Sequence, residues 1–428
     1  MMILDRRRFL GVAATLAGLW RALPARAELT PRMADRFRLI EAKPTGDARQ
    51  WASLGYEGAS PGPLIRLKKG ADASIRLLNS LDAPTTLNWC GMRIANAMAG
   101  VGGLTQTAAA PGAHFDYVFR PPDSGLSIYR PHAGAATAGQ MARGLGGLII
   151  VEDAVPVPVD LEAVVALRDI ESDPPMLANG AATPLLLTAA PGARVRLRLA
   201  SLCAARIMVI GIEGVAARII AIDGQPCEAF EPLRHAFPMG PGARFELMFE
   251  LPHDGAVRFV ARGGGATPSE PDRPLVEFSL AGDPPPARAD FAGLPANPAL
   301  PAEIALQAAL RVDLVIAGGA EAPFTLNGAH NDGWSPKPLF SVGRGAPVTI
   351  GVVNRTAVVQ AIRLSGHVAR LLHPLDDGWE PYWRDSVLTA PGKTDHLAFV
   401  ADNPGRWPLE SAILDHQARG VATFFEVR

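Results

Sequence analysis

Three cysteines and nine histidines are the soft donors available to this 428-residue chain. Cys90 lies in Asn88-Trp89-Cys90-Gly91, His132 closes Tyr129-Arg130-Pro131-His132, and His416 follows Glu410-Ser411-Ala412 by four residues. A thiolate joined by imidazoles can hold a transition metal for electron transfer. Such a site needs three or more donors converging at fixed distances. These donors stand far apart, and no Met-rich or His-rich tract accompanies them. Cys90, His132 and His416 are the residual metal candidates. The competing reading makes Cys90 a small buried thiol and the two imidazoles hydrogen-bonded histidines.

The elements that would position them are strands. Gly (43) and Pro (39) are abundant and long helical heptads are absent, which favours many short strands joined by turns. One pattern recurs three times: a Gly turn followed by alternating apolar and polar residues, at Lys69–Asn79, Pro191–Leu199 and Arg344–Asn354. Alternation of this kind marks a half-buried strand. A second pattern follows each copy, opening on Pro111-Gly112, Pro241-Gly242 and Pro391-Gly392. Pro-Gly sets a type II turn before each following strand. Three units of about 120 residues follow, each read as a Greek-key sandwich.

The first 27 residues read as a targeting segment. Arg6-Arg7-Arg8-Phe9-Leu10-Gly11 resembles a twin-arginine export signal, an apolar run extends from Val12 to Trp20, and Ala25-Arg26-Ala27 offers a cleavage site. The periplasm is the expected location. No later run is long enough to span a bilayer. A net charge of −1 without a basic stripe gives nucleic-acid binding no electrostatic support. Three cysteines make no disulfide framework, although an oxidising compartment permits one bond, with Cys203 and Cys227 as the candidate pair.

The three units resemble cupredoxin domains, and their order resembles a three-domain multicopper oxidase. The expected layout is domain one over 34–153, domain two over 158–283, a Pro/Ala-rich linker over 284–303 and domain three over 304–428. Pro61-Gly62-Pro63-Leu64-Ile65-Arg66, Ala221-Ile222-Asp223-Gly224-Gln225-Pro226, Phe324-Thr325-Leu326-Asn327-Gly328 and Trp383-Arg384-Asp385-Ser386-Val387 carry the likeness in order. So does Asp402-Asn403-Pro404-Gly405-Arg406-Trp407 near the C-terminus.

That family implies a mononuclear copper bound by two His and one Cys, and a three-copper cluster bound by eight His. Against its four ligand motifs this chain departs almost throughout. Asn88 and Cys90 stand at the two His positions of the first motif. In the second, Arg130 replaces one His and His132 is kept. In the third, Gln360, Arg363 and Ser365 replace three His, while His367 matches a non-ligand His. In the fourth, Glu410 and Ala412 replace cluster His, Ser411 replaces the bridging Cys, His416 is kept, and Val421 falls at the axial position. A guanidinium cannot ligate a metal and repels one. Copper is therefore expected to be lost and no other cofactor is implied. Arg130, Arg363 and Glu410 are expected to form a replacement Arg–Glu–Arg ion-pair network between domains one and three.

The resemblance extends to a copper-free, twin-arginine-exported, oxidase-like protein of the division machinery. It implies a periplasmic binding or scaffold protein without catalysis, acting in cell division or envelope stress on an unidentified periplasmic protein. Two alternatives remain: an oxidoreductase with a residual metal site, and a copper-binding carrier.

Overall fold

The computed structural model describes residues 37–46, 51–171, 175–263, 271–319, 321–372 and 378–428. The segment read as a signal, 1–27, lies outside the described residues. Six β-sheets pack in three face-to-face pairs. In the first pair the strands Leu54–Tyr56, Arg38–Pro44, Ala73–Asn79 and His114–Phe119 form one sheet. Ile65–Lys68, Gly147–Glu152, Gly125–Arg130 and Asn88–Cys90 form the other. The chain alternates between the two sheets, so consecutive strands often face each other across the core. Ile40, Ile75, Leu77 and Tyr117 from one sheet meet Ile65, Trp89, Tyr129 and Ile149 from the other. The second pair has seven and five strands, and the third has five and five, each around its own buried core. The architecture is the expected all-β set of cupredoxin-like sandwiches.

The repeat has a physical basis. At each Pro-Gly turn the N–H of the fourth residue reaches the carbonyl of the first: Ala113 to Ala110 at 2.9 Å, Ala243 to Gly240 at 3.1 Å and Lys393 to Ala390 at 3.1 Å. Gly112, Gly242 and Gly392 take φ of 76°, 73° and 70°, the left-handed third position of a type II turn. Each of these glycines also donates its N–H to the end of the preceding repeat strand, at Asn79, Ser201 and Asn354. The same lock closes all three sandwiches.

One expectation needs correction. Arg194–Ser201 is buried on both faces, where alternation suggested a solvated face. Its arginines face a fully buried carboxylate: Arg196 Nη2 and Arg198 Nη1 approach Glu246 at 2.6 and 2.8 Å. Asp153 and Glu162 cap the same arginines at 2.5 and 2.9 Å. The polar stripe is thus an interface, because Glu246 also accepts the N–H of Leu126 from the first sandwich at 3.1 Å. Cys203 and Cys227 are separate free thiols in the middle core, each near a backbone carbonyl.

Only two α-helices occur among the described residues, Ala136–Ala142 and Leu414–Ala418. No described helix is long and apolar enough to cross a membrane.

Candidate functional site

The positions singled out in the sequence gather at the seam between the first and third sandwiches. Asn88–Cys90 pairs antiparallel with Gly125–Arg130, so Asn88 lies opposite Arg130 and Cys90 opposite Ile128. Gln360–Leu364 pairs with Gly405–Ser411, placing Arg363 opposite Glu410. Opposed residues of an antiparallel pair share a face. Two strand pairs, one from each domain, therefore supply the charged groups.

Glu410 is the centre of the first cluster and is 1% exposed. His132 Nε2 lies 2.9 Å from its Oε1 and 3.1 Å from its Oε2. Gln417 Nε2 donates to Oε2 at 2.6 Å. Arg130 Nη2 stands off at 3.9 Å and Arg130 Nη1 points at the Met141 sulfur, 3.6 Å away. The His132 ring stacks on Trp334 with centroids 5.6 Å apart and planes 8° from parallel. Trp334 is itself pinned by its indole N–H to the Gly102 carbonyl. Burial pushes the Glu410 carboxyl up. The charge and hydrogen bond of His132, the nearby Arg130 and the Gln417 amide outweigh it and hold the group below the ordinary carboxylate range.

Arg363 does not join this cluster, contrary to the expected Arg–Glu–Arg network. Among the described hydrogen bonds and ion pairs it bonds to Cys90 Sγ and, at 3.2 Å, to the Pro241 carbonyl. It borders a second, fully buried network in which Arg244 Nη2 reaches Asp385 Oδ2 at 2.6 Å. Asp223 accepts from Arg244 N, from Asp385 N and Ser386 N, and from Ser386 Oγ at 2.7 Å. Arg244 Nε also donates to Leu126 O. This junction ties all three sandwiches together. The charges of Asp385 and Asp223 attract the Arg363 guanidinium, whereas Glu410 is already engaged by His132 and Gln417.

The residues matched to the mononuclear ligands have their own arrangement. His416 Nδ1 lies 3.1 Å from Gln360 Oε1, and Gln360 Nε2 donates to Thr356 Oγ1. Ser411 Oγ accepts the Ile413 N–H at 3.2 Å. Val421 is wholly buried in the third core, and Ala412 packs with Ala361 and Ile413. His416 packs against Phe324, and burial pulls its pKa down. Asn88 donates to the Ala99 carbonyl at 2.7 Å, and the Ser365 carbonyl sits 3.3 Å from His367 Nδ1.

As a donor set these side chains do not match copper. The two retained imidazoles belong to different clusters, and each is engaged by a carboxylate or an amide. The single thiol at the seam, Cys90, is bonded by a guanidinium. Among the described residues no three His, Cys, Asp or Glu converge as they would around a metal ion. Chemically, the seam can hold Glu410 and His132 in a buried hydrogen bond and can cement two domains. Gln417 and Trp334 escaped the sequence reading. Gln417 is the residue after His416, on the one-turn helix that carries both. Trp334 comes from a loop with no periodic pattern to place it.

Multicopper oxidase sequence profiles match residues 39–155 and 306–428, together more than half of the chain. Multicopper oxidase MmcO of Mycobacterium tuberculosis is 26% identical over 441 residues, covering 87% of this chain and 82% of that protein. Copper resistance protein A of Pseudomonas syringae pv. tomato is 32% identical over 185 residues, 40% of this chain and 30% of its own length. The crystal structure of a multi-copper oxidase from Pseudomonas thermotolerans superposes with a TM-score of 0.81 at 28% identity, covering 91% of this chain and 98% of that one. The chain belongs to the multicopper oxidase family.

Proposed function

We propose that this chain is a copper-free member of its family, exported by the twin-arginine route, that works in the periplasm as a binding or scaffold protein. The observation that carries this reading is the seam itself. Where the family's chemistry calls for converging imidazoles and a thiolate, Glu410 is held by His132 and Gln417, Arg363 by Cys90 and the Pro241 carbonyl, Gln360 by His416 and Thr356, and Ser411 by the Ile413 N–H. A guanidinium at two ligand positions opposes a cation electrostatically as well as failing to bind one. With Ser411 in place of a thiolate, no sulfur bridge is left to carry electrons between the two sites. By resemblance, the setting we propose is cell division or envelope stress, with another periplasmic protein as partner.

Relatives named as oxidases favour a second reading, an oxidoreductase with a residual metal site or a copper carrier. Metal analysis of the full chain produced and exported in copper-rich medium, with its visible spectrum, separates them. The scaffold reading expects far less than one copper per chain and no thiolate band. Near-stoichiometric copper, or turnover of phenols or metal ions, sinks it. Capture from periplasm, with a cross-linker and a well-folded surface variant as control, then identifies the partner.

A further inference from the structure

Among the described residues, the seven- and five-stranded sheets of the middle sandwich end in four edge strands, and one of them, bounded by Pro184 and Pro191, carries no guard within its own length. Leu185–Ala189, with sequence Leu-Leu-Leu-Thr-Ala, is the first strand of the five-stranded sheet and pairs on one side only, parallel with Arg273–Leu280. Folded proteins usually protect such an edge with charge, proline or cover. The far edge of the same sheet, Ala236–Met239, carries Pro238. Gln225–Phe230 carries Pro226 and Glu228, Ile65–Lys68 carries Arg66 and Lys68, and His114–Phe119 carries Asp116. Ser386–Thr389 is half buried. Among the described edge strands of four or more residues, only Leu185–Ala189 has no charge, no proline and no fully buried residue.

Its free groups can be assigned. The Ala189 carbonyl accepts the Ala281 N–H at 3.0 Å, so Ala189 turns its main chain inward. By the two-residue period of a strand, Leu187 and Leu185 do the same, and Leu186 and Thr188 turn theirs outward. Leu186 is 70% exposed, and Leu185, Leu187 and Ala189 are only partly covered by the core beneath them.

We infer that this edge pairs with the same edge of a second copy of the chain. An uncharged strand meets itself in an antiparallel two-fold arrangement without opposing like charges. The outward groups fix the register. Leu187 lies on the axis opposite Leu187 of the second copy, as a non-hydrogen-bonded pair. Leu186 and Thr188 each exchange both main-chain bonds with Thr188 and Leu186 of the second copy. On the core side Leu185 stands beside Ala189 of the second copy, closing apolar surface that the monomer leaves half open. The two five-stranded sheets become one.

Sedimentation velocity of the full chain over a concentration series tests this. The expected result is a dimer whose mass halves in Leu186→Lys, which places a cation diagonally across from its symmetry mate on the same face, and in Thr188→Pro, which removes an outward N–H. Both variants alter exposed positions, and unchanged thermal melting checks their folding. Leu187→Cys is expected to give a disulfide-linked dimer on oxidation, with no competing exposed thiol because Cys90, Cys203 and Cys227 are buried. A wild-type monomer at every soluble concentration overturns the inference and leaves the edge to an extended segment of another protein. A dimer that persists in both variants overturns it as well. So does a Leu187→Cys variant that dimerises without forming the cross-link.

Discussion

Replacing Glu410 by alanine removes the centre of the seam between domains one and three. The side chain accepts at 2.9 Å from His132 and at 2.6 Å from Gln417, with Arg130 at 3.9 Å. Its loss strands an imidazole, an amide and a guanidinium in a region where Glu410 is 1% exposed. Breaking a buried ion pair by removing one partner costs ~3–5 kcal/mol, and the long Arg130 separation places this case at the lower end, ~3 kcal/mol. The compact unit Leu39–Arg428 spans 390 residues. At roughly 2.1 cal/mol/K per residue, unfolding it as one unit carries an entropy of about 0.8 kcal/mol/K, so the melting point should fall by about 4 °C. A double-mutant cycle then isolates the partners. Glu410 and His132 should couple by about 1 kcal/mol or more, whereas Glu410 and Arg363 should couple by less than about 0.5 kcal/mol despite facing each other across adjacent strands. Calorimetry and urea unfolding supply both numbers. Wild-type melting of Glu410→Ala, or equal coupling to Arg363 and His132, refutes the assignment.

Three further outcomes follow from the same geometry. Arg244→Met should cost more than Glu410→Ala, ~3–5 kcal/mol in urea unfolding, because it leaves Asp385 and Asp223 without their fully buried cation at the three-domain junction. Burial drives the His367 pKa from 6.5 down to about 3. The unfolded chain therefore takes up a proton between those values while the folded chain does not, and stability falls as pH drops through that window by at most about 1.4 kcal/mol per unit. His367→Phe should flatten that slope in a pH series of melts, and an unchanged slope would contradict the buried neutral imidazole. Titration with a thiol reagent should find no reactive cysteine in the native chain and three after denaturation without reductant; a count of one would establish a disulfide between two of them.

The fold was legible because its punctuation is local. A Pro-Gly turn and the strand after it depend on a handful of neighbouring residues, and each of the three copies closes on the same N–H to carbonyl lock. The place of the site was legible for a similar reason, since Asp402–Trp407 and the strands before it keep their backbone frame. Partner choice was not. Arg363 and Glu410 share a face and a register, yet Arg363 is drawn across the domain boundary to Cys90 and Pro241. That choice depends on Asp385 and Asp223, which reach the junction from two different domains. The Arg194–Arg198 stripe misled for the same reason: alternation shows that a face is polar, and only docking of the first sandwich shows that it is buried.

Anomalous diffraction at the copper edge, from crystals of copper-loaded protein, tests the central claim most directly. The account predicts no anomalous peak within bonding distance of His132, Cys90 or His416, with Glu410 still hydrogen-bonded to His132 and Gln417. A peak held by His132 or His416, with Glu410 or Gln360 swung aside, would contradict it.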